Sequence, residues 1–429
     1  MSPSVSVNEL KVGMYVHLDL SWMSHPFPRS SFKIESDKQI DTIRGLGLQR
    51  LRWDPERSEQ PPVPSARAAP GPALAVQPTG TAPVTLAPAD REAEQRRQAL
   101  AQQREAAQLC ESQYQEAGRA WRKAFDRVTA EPMVARRDAE ALSQALLDKM
   151  LVEGEMCIRV LNTASGDRAT AHAMNVSVIS MLMGRMLGIT DEQLADLGTG
   201  SLLHDVGKLN VPERLRHVDD KFSPAEQAAY AEHVSQGELQ ARRMGLGQTA
   251  TAIIAQHHEM ADGSGFPRRL TNESILLPAR IVALVNRFDN LCNPPSLARA
   301  LTPHEALSTL FAHSRAKFDV TVLNAFIRMM GVYPAGSVVQ LTDDRYGLVM
   351  SVNSVRPLKP KVLVYDCAVP RDEALHLDLE RTPDLGIRRS IRAAQLPAAA
   401  LDYLAPRPRV AYFFESGAVP LIDDEPGQD

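Results

Sequence analysis

The chain has 429 residues, a formal net charge of −4 and 44% hydrophobic residues, enough for two or three domains with buried cores. A pI near 6.3 gives no whole-molecule attraction to nucleic acid polymers or to an anionic membrane, so any phosphate-binding site must be local. Four widely spaced cysteines (Cys110, Cys157, Cys292 and Cys367) argue against a disulfide framework and a thiolate zinc site; with no signal pattern and no long apolar run, a soluble cytoplasmic protein is expected.

Residues 1–56 read as a small α+β domain. Met14–Leu20 alternates like a strand, Ser36 offers a cap for a helix through Ile43, and Leu48–Trp53 reads as another strand. Residues 57–90, with Pro61-Pro62 and Pro70-Gly71-Pro72, have the composition of a flexible linker. Residues 91–134 turn to Gln, Arg, Glu and Ala and predict a connecting helix. Its partial apolar stripe, Leu100, Ala107, Cys110, Tyr114 and Ala117, suits a helix leading into the core; a homodimer seam through residues 91–150 is the alternative. Residues 135–332 are almost wholly helical in pattern, with Thr190-Asp191 marking the start of the helix that delivers His204. Residues 333–410 predict a small β appendage with strands at Val338–Leu341, Gly347–Met350 and Val362–Tyr365, and residues 411–429 a frayed tail. The expected fold is mainly α: a helical bundle core between a small α+β domain and a small β appendage.

Eight of the 11 histidines fall in the helical region. His172, His204, His233 and the pair His257-His258 are spaced 24 to 32 residues apart, about the length needed to run down one helix and return along the next, so their side chains can converge. His204-Asp205 closes an apolar helical run and offers a metal a neutral nitrogen beside a carboxylate able to bridge two ions. Several imidazoles with one carboxylate suit iron, manganese or zinc better than magnesium or calcium. Lys208 follows one turn later, where an ammonium can meet a phosphate oxygen, and the Gly263–Pro267 loop allows close backbone approach with Phe266 as a stacking ring.

His204-Asp-Val-Gly-Lys208, Glu232-His233 with Gly237, His257-His258-Glu259, Asp262-Gly-Ser-Gly-Phe-Pro267 and Ala279-Arg280-Ile281 occur in the order that resembles the HD-GYP family, a subgroup of the HD-domain metal-dependent phosphohydrolases. Leu10-Lys-Val-Gly-Met-Tyr-Val16 resembles a domain of unknown function often joined to that family. The resemblance implies an HD-type helical domain holding two or three divalent metals, iron or manganese first and zinc second. It implies hydrolysis of cyclic di-GMP to linear pGpG or GMP, in the company of diguanylate cyclase-type signalling proteins. It assigns His172 and His204 to one metal, His233, His257 and His258 to another, Asp205 as the bridge and Asn286 as a further ligand. Asp205 and Lys208 become catalytic; Lys208, Asp262, Gly265, Phe266, Pro267 and Arg280 become substrate-binding.

The chain also departs from the family. Asn286 stands where the family has a metal-binding aspartate, and an amide brings no charge against two dications. Asp289, about 60° round the helix from Asn286, is expected not to reach the site. Pro295-Ser-Leu-Ala298 replaces an Arg-Pro-Tyr-Arg run expected to hold phosphate, and Phe266 replaces a tyrosine. Arg168 occupies the place where three-metal members carry an acid, so two metals are expected. The alternatives are a degenerate module that binds metal or nucleotide and acts by regulation, and a phosphohydrolase of another nucleotide, against which Phe266 and the intact Asp262–Pro267 loop argue.

Overall fold

The computed structural model describes residues 4–25, 27, 30–59, 88–151, 156–161, 167–217 and 222–416. The chain forms two compact units, Met1–Gln102 and Gln103–Asp429. In the first, strands β1 (Ser4–Ser6), β2 (Tyr15–His17), β3 (Ser31–Lys33) and β4 (Arg50–Asp54) form an antiparallel sheet in the order β1-β4-β2-β3. Helix α1 (Asp37–Gly45) starts after Ser36 and buries Ile40 and Ile43, three residues apart, in a core with Val16, Leu18, Ile34 and Leu51. Most of the proline-rich stretch, 60–87, lies outside the described residues.

Helix α2 (Pro88–Arg127) enters the second unit at Gln103. There its predicted stripe is covered by the same unit: Cys110 Sγ donates to Phe414 O, and the Tyr114 ring meets Phe413 edge-on. The helical core follows as α3 (Pro132–Leu151), α4 (Arg168–Met186), α5 (Asp191–Leu203), α6 (Pro224–Met244), α7 (Gln248–Gln256), α8 (Leu277–Cys292), α9 (Pro303–His313) and α10 (Val320–Met330). Of the two caps expected, Thr190 forms one and Ser36 makes no side-chain cap bond. Thr190 and Gln193 form a capping box on α5, and Ser223 with Glu226, beside Pro224, forms another on α6. Helix α5 packs on α3, α4 and α7, and α4 on α8, burying Met174, Ile179, Leu197, Leu202, Ile253, Leu284 and Phe288.

The sheet of this unit is larger than the sequence suggested. Its path is β10 (Ile387–Ile391), β6 (Val338–Leu341), β7 (Tyr346–Asn353), β5 (Met156–Val160) and β11 (Tyr412–Ser416), all antiparallel, with β8 (Lys361–Val364) on β7 and β9 (Leu377–Asp378) on β8. The three predicted strands are β6, β7 and β8. Strand β5 breaks the region read as helical, and β11 occupies a stretch read as tail; residues 417–429 lie outside the description. Both missed strands are short and buried with no polar alternation, a pattern that cannot be told from a buried helix or an apolar loop. Helix α11 (Ala398–Leu404) packs on β7. Among the described residues no helix is long and apolar enough to cross a membrane.

Candidate metal centre

The centre is built on the turn that ends α5. His204 stands at the C-cap and Asp205 opens a short 3₁₀ turn, Val206–Asn210. Gly207 is what lets this turn touch α6: a Cβ there would sit 1.9 Å from His233 O and 2.4 Å from Gly237 N. Only hydrogen fits, and the contact brings His233 up to Asp205.

Asp205 divides its two oxygens. Oδ2 lies 3.6 Å from His172 Nε2 and 3.5 Å from His204 Nε2, while Oδ1 lies 3.6 Å from His233 Nε2 and 3.7 Å from His257 Nε2. The ligand atoms fall into two groups sharing Asp205, one with His172 and His204 and one with His233, His257 and His258, each within 4.8 Å. These are the six predicted histidine and aspartate ligands. Asn286 sits on α8, buried, with its Oδ1 accepting from Asn290 Nδ2 at 2.6 Å.

The donor set suits divalent metal. Nδ1 of His204, His233 and His257 lies 2.7, 2.6 and 2.8 Å from the carbonyls of Ser201, Tyr230 and Ile254. A carbonyl only accepts, so Nδ1 carries the proton and Nε2 turns a lone pair inward. Burial pushes His204 down to about 4, lowers His233, and drives His257 and His258 well below the ordinary histidine value, so these four imidazoles are neutral at pH 7. Burial opposes ionisation of Asp205, yet Lys208 and the imidazoles hold its carboxyl well below the usual range. Asp205 Oδ1 is buried and accepts no hydrogen bond among the described residues, an expensive state that a cation relieves.

Other predicted residues have defined places. Lys208 Nζ donates to Asp205 Oδ2 at 2.6 Å. Phe266 stacks on His258 with centroids 4.6 Å apart. Its loop is fixed by Glu259, which accepts from Arg268 N and Leu270 N, and by Gly265, where a Cβ would strike His258 O at 2.5 Å. Pro267 is exposed behind it, and Asp262 accepts from Ser264 N in the same loop. Arg280 is held by Asp319 and Ile275 O.

Asp289 takes a place other than that of a substitute for Asn286. Its Oδ2 accepts from His172 Nδ1 at 2.6 Å, and its Oδ1 accepts from Asn175 and Asn293 amides at 2.7 and 2.8 Å. It turns away from Asn286 as the helix geometry requires, and that turn aims it at the back of His172. Asn175 and Asn293 in turn grip the backbone of Val410 and Tyr412 just ahead of and within β11. Tyr230, whose hydroxyl lies 3.5 Å from His258 Nε2, was also missed. The one signal for it in the sequence is its place three residues before His233, on the same helical face.

Comparison with known proteins agrees with this geometry. Residues 155–322 match the family model described as HD domain, and residues 3–139 match a domain of unknown function. The chain resembles the HD-GYP branch of the HD domain family in the region that carries the histidine cluster. It is 27% identical over 85% of its length to a cyclic di-GMP phosphodiesterase of Pseudomonas aeruginosa, covering 85% of that protein. It is 31% identical over 35% of its length to a 3'3'-cGAMP-specific phosphodiesterase of Vibrio cholerae, covering 29% of it. Other curated relatives are matched over half their length or less, among them a cyclic di-GMP phosphodiesterase response regulator of Xanthomonas campestris, 30% identical over 37% of this chain and 43% of its own. Among solved structures, an HDG"Y"P protein from Bdellovibrio bacteriovorus aligns with a TM-score of 0.41 and 17% identity, over 76% of this chain and 98% of that one.

Proposed function

We propose that this protein is an HD-GYP phosphodiesterase that opens cyclic di-GMP at a two-metal centre and releases pGpG or GMP. The observation that carries the reading is Asp205, whose two oxygens each face a separate pair of imidazoles. His172 and His204 would hold one metal, and His233, His257 and His258 the other. Bound there, the dications supply Lewis acidity toward a phosphodiester and a nucleophile from water at neutral pH.

The chain's own residues supply the rest. Asp205 stays ionised at any working pH because Lys208 and the imidazoles surround it. Lys208 keeps its proton, since Asp205 prevails over burial, and offers an ammonium to a non-bridging phosphate oxygen. Arg168 bears a buried Nη1 with no hydrogen-bond partner among the described residues and lies in the field of Asp205, so a guanidinium remains although the Arg-Pro-Tyr-Arg run is gone. Phe266 has one face on His258, which leaves the other for a base.

Iron- or manganese-loaded protein incubated with cyclic di-GMP, with products resolved by chromatography, tests the proposal; pGpG or GMP appearing with metal and not after chelation is the expected result. The tie between Asn286 Oδ1 and Asn290, and the commitment of Arg280 to Asp319, favour a second reading in which the site binds without turnover. Binding without product would support that module, and neither binding nor product would sink both.

A further inference from the structure

A cavity of about 430 Å³ opens between α2 and the sheet of the second unit, and none of its lining residues belongs to the metal centre. Its size lies in the range of roughly 300 to 1,000 Å³ typical of small-ligand sites. Arg104, Arg159, Arg371, Arg407 and His376 line it, against a single carboxylate, Asp372. That carboxylate is 3.8 Å from Arg104.

Two features make this more than a basic surface. Arg159 on β5 is 4% exposed; its Nη1 donates to Glu415 Oε2 at 2.7 Å, but its Nη2 is buried and has no hydrogen-bond partner among the described residues. A half-satisfied guanidinium inside a cavity is strained toward any anion that can complete its fork. The wall is also fixed in place, because Gln103 on α2 donates to Ala374 O at 3.0 Å and accepts from His376 N at 2.7 Å. Arg371 and Arg407 are exposed at the rim, and among the described residues neither guanidinium has a hydrogen bond or ion pair. His376 is pushed down to about 3 by burial, with Arg159 and Lys361 adding to the shift, so it stays a neutral hydrogen-bonding group.

Four guanidinium groups meet two carboxylates, Asp372 in the wall and Glu415 behind Arg159, and the surplus calls for a dianion with several acceptor oxygens, which a phosphate monoester supplies better than a carboxylate. Met350 and Leu363 supply an apolar strip in the same cavity, which a bare ion would leave uncovered. We propose that this cavity is an effector site for a small organic phosphomonoester of nucleotide size. Its buried arginine is wired to the metal centre: Glu415 belongs to β11, whose leading residues Val410 and Tyr412 are gripped by Asn175 and Asn293, and these bond Asp289 behind His172. Cyclic di-GMP contains only phosphodiesters, whereas its linear products end in a phosphomonoester, so the site would sense product; that consequence rests on the phosphodiesterase reading, while the site does not.

The test uses full-length Asp205→Ala protein stripped of metal, so that nucleotide has no metal to bind, titrated by calorimetry with GMP, guanosine and inorganic phosphate. GMP should bind and guanosine should not. Adding Arg371→Glu and Arg407→Glu, both at exposed positions, should weaken GMP at least tenfold with the circular dichroism and melting temperature unchanged. Undiminished GMP binding in that variant, or none in its parent, would overturn the site. Inorganic phosphate binding as tightly as GMP would overturn the organic ligand and assign the cavity to the free ion. Failure of catalysis in the wild-type chain would leave these titrations untouched.

Discussion

Asp289→Asn separates the job of holding His172 from the job of holding the fold. The wild-type carboxylate is 1% exposed and accepts three hydrogen bonds, one from His172 and two from asparagine amides. An asparagine with its oxygen in the place of Oδ1 still accepts from Asn175 and Asn293, and each of those amides also bonds Val410 O at 3.0 or 2.9 Å. Stability should therefore fall by no more than about 1 kcal/mol. The new Nδ2 group then faces His172 Nδ1 as a donor. His172 can answer only by moving its proton to Nε2, the nitrogen aimed at Asp205. Losing the carboxylate behind a histidine ligand typically lowers metal affinity about 10- to 100-fold, or roughly 1.4 to 2.7 kcal/mol. Competition with a chelator of known affinity should show that shift, while urea denaturation of the metal-free protein moves little. An unchanged chelator midpoint would refute the positioning role, and a collapse in stability would mean Asp289 is chiefly a core bond.

Three further outcomes are expected. Gly207→Ala, which forces a Cβ onto His233 O and Gly237 N, should destabilise the fold by about 3 kcal/mol or more and cut metal content, checked by urea denaturation and elemental analysis; a stable, fully loaded variant would contradict the close contact. Asn286→Asp keeps an acceptor for Asn290 and adds a charge, so it should retain more metal through dialysis; equal retention would mean the missing carboxylate is not limiting. His204, completely buried, titrates at about 4 when folded against 6.5 when exposed, so the unfolded chain takes the proton first. Its contribution is intact above pH 6.5, declines as pH falls from 6.5 to 4 and amounts to about 3 kcal/mol. Metal-free wild type should lose that much more than His204→Gln between pH 7.5 and 4, and equal losses would refute it.

The clustered histidines and Asp205 were legible because each sits in a local pattern. Adjacent His204-Asp205 and His257-His258, the small residues Gly207 and Gly237, and helix-length spacings all survive in one dimension. The start of α5 was legible for the same reason, since Thr190 and Gln193 act within four residues. What escaped depends on remote pairing. Strand β5 finds β11 across some 250 positions, Arg159 with Glu415 being 256 apart, and no periodicity within either strand announces the other. The role of Asp289 escaped because its partner lies on α4, 117 residues earlier.

The grip of Asn175 on Val410 O spans 235 positions. At about 5 to 20 residues per second, a ribosome delivers Val410 roughly 10 to 50 s after Asn175. Throughout that interval the helices bearing the histidines must wait for the strand that braces them. Nascent chains are thus kept from maturing a hydrolytic centre until the β11 segment has emerged, and a truncation before Val410 should leave those helices exposed to proteolysis.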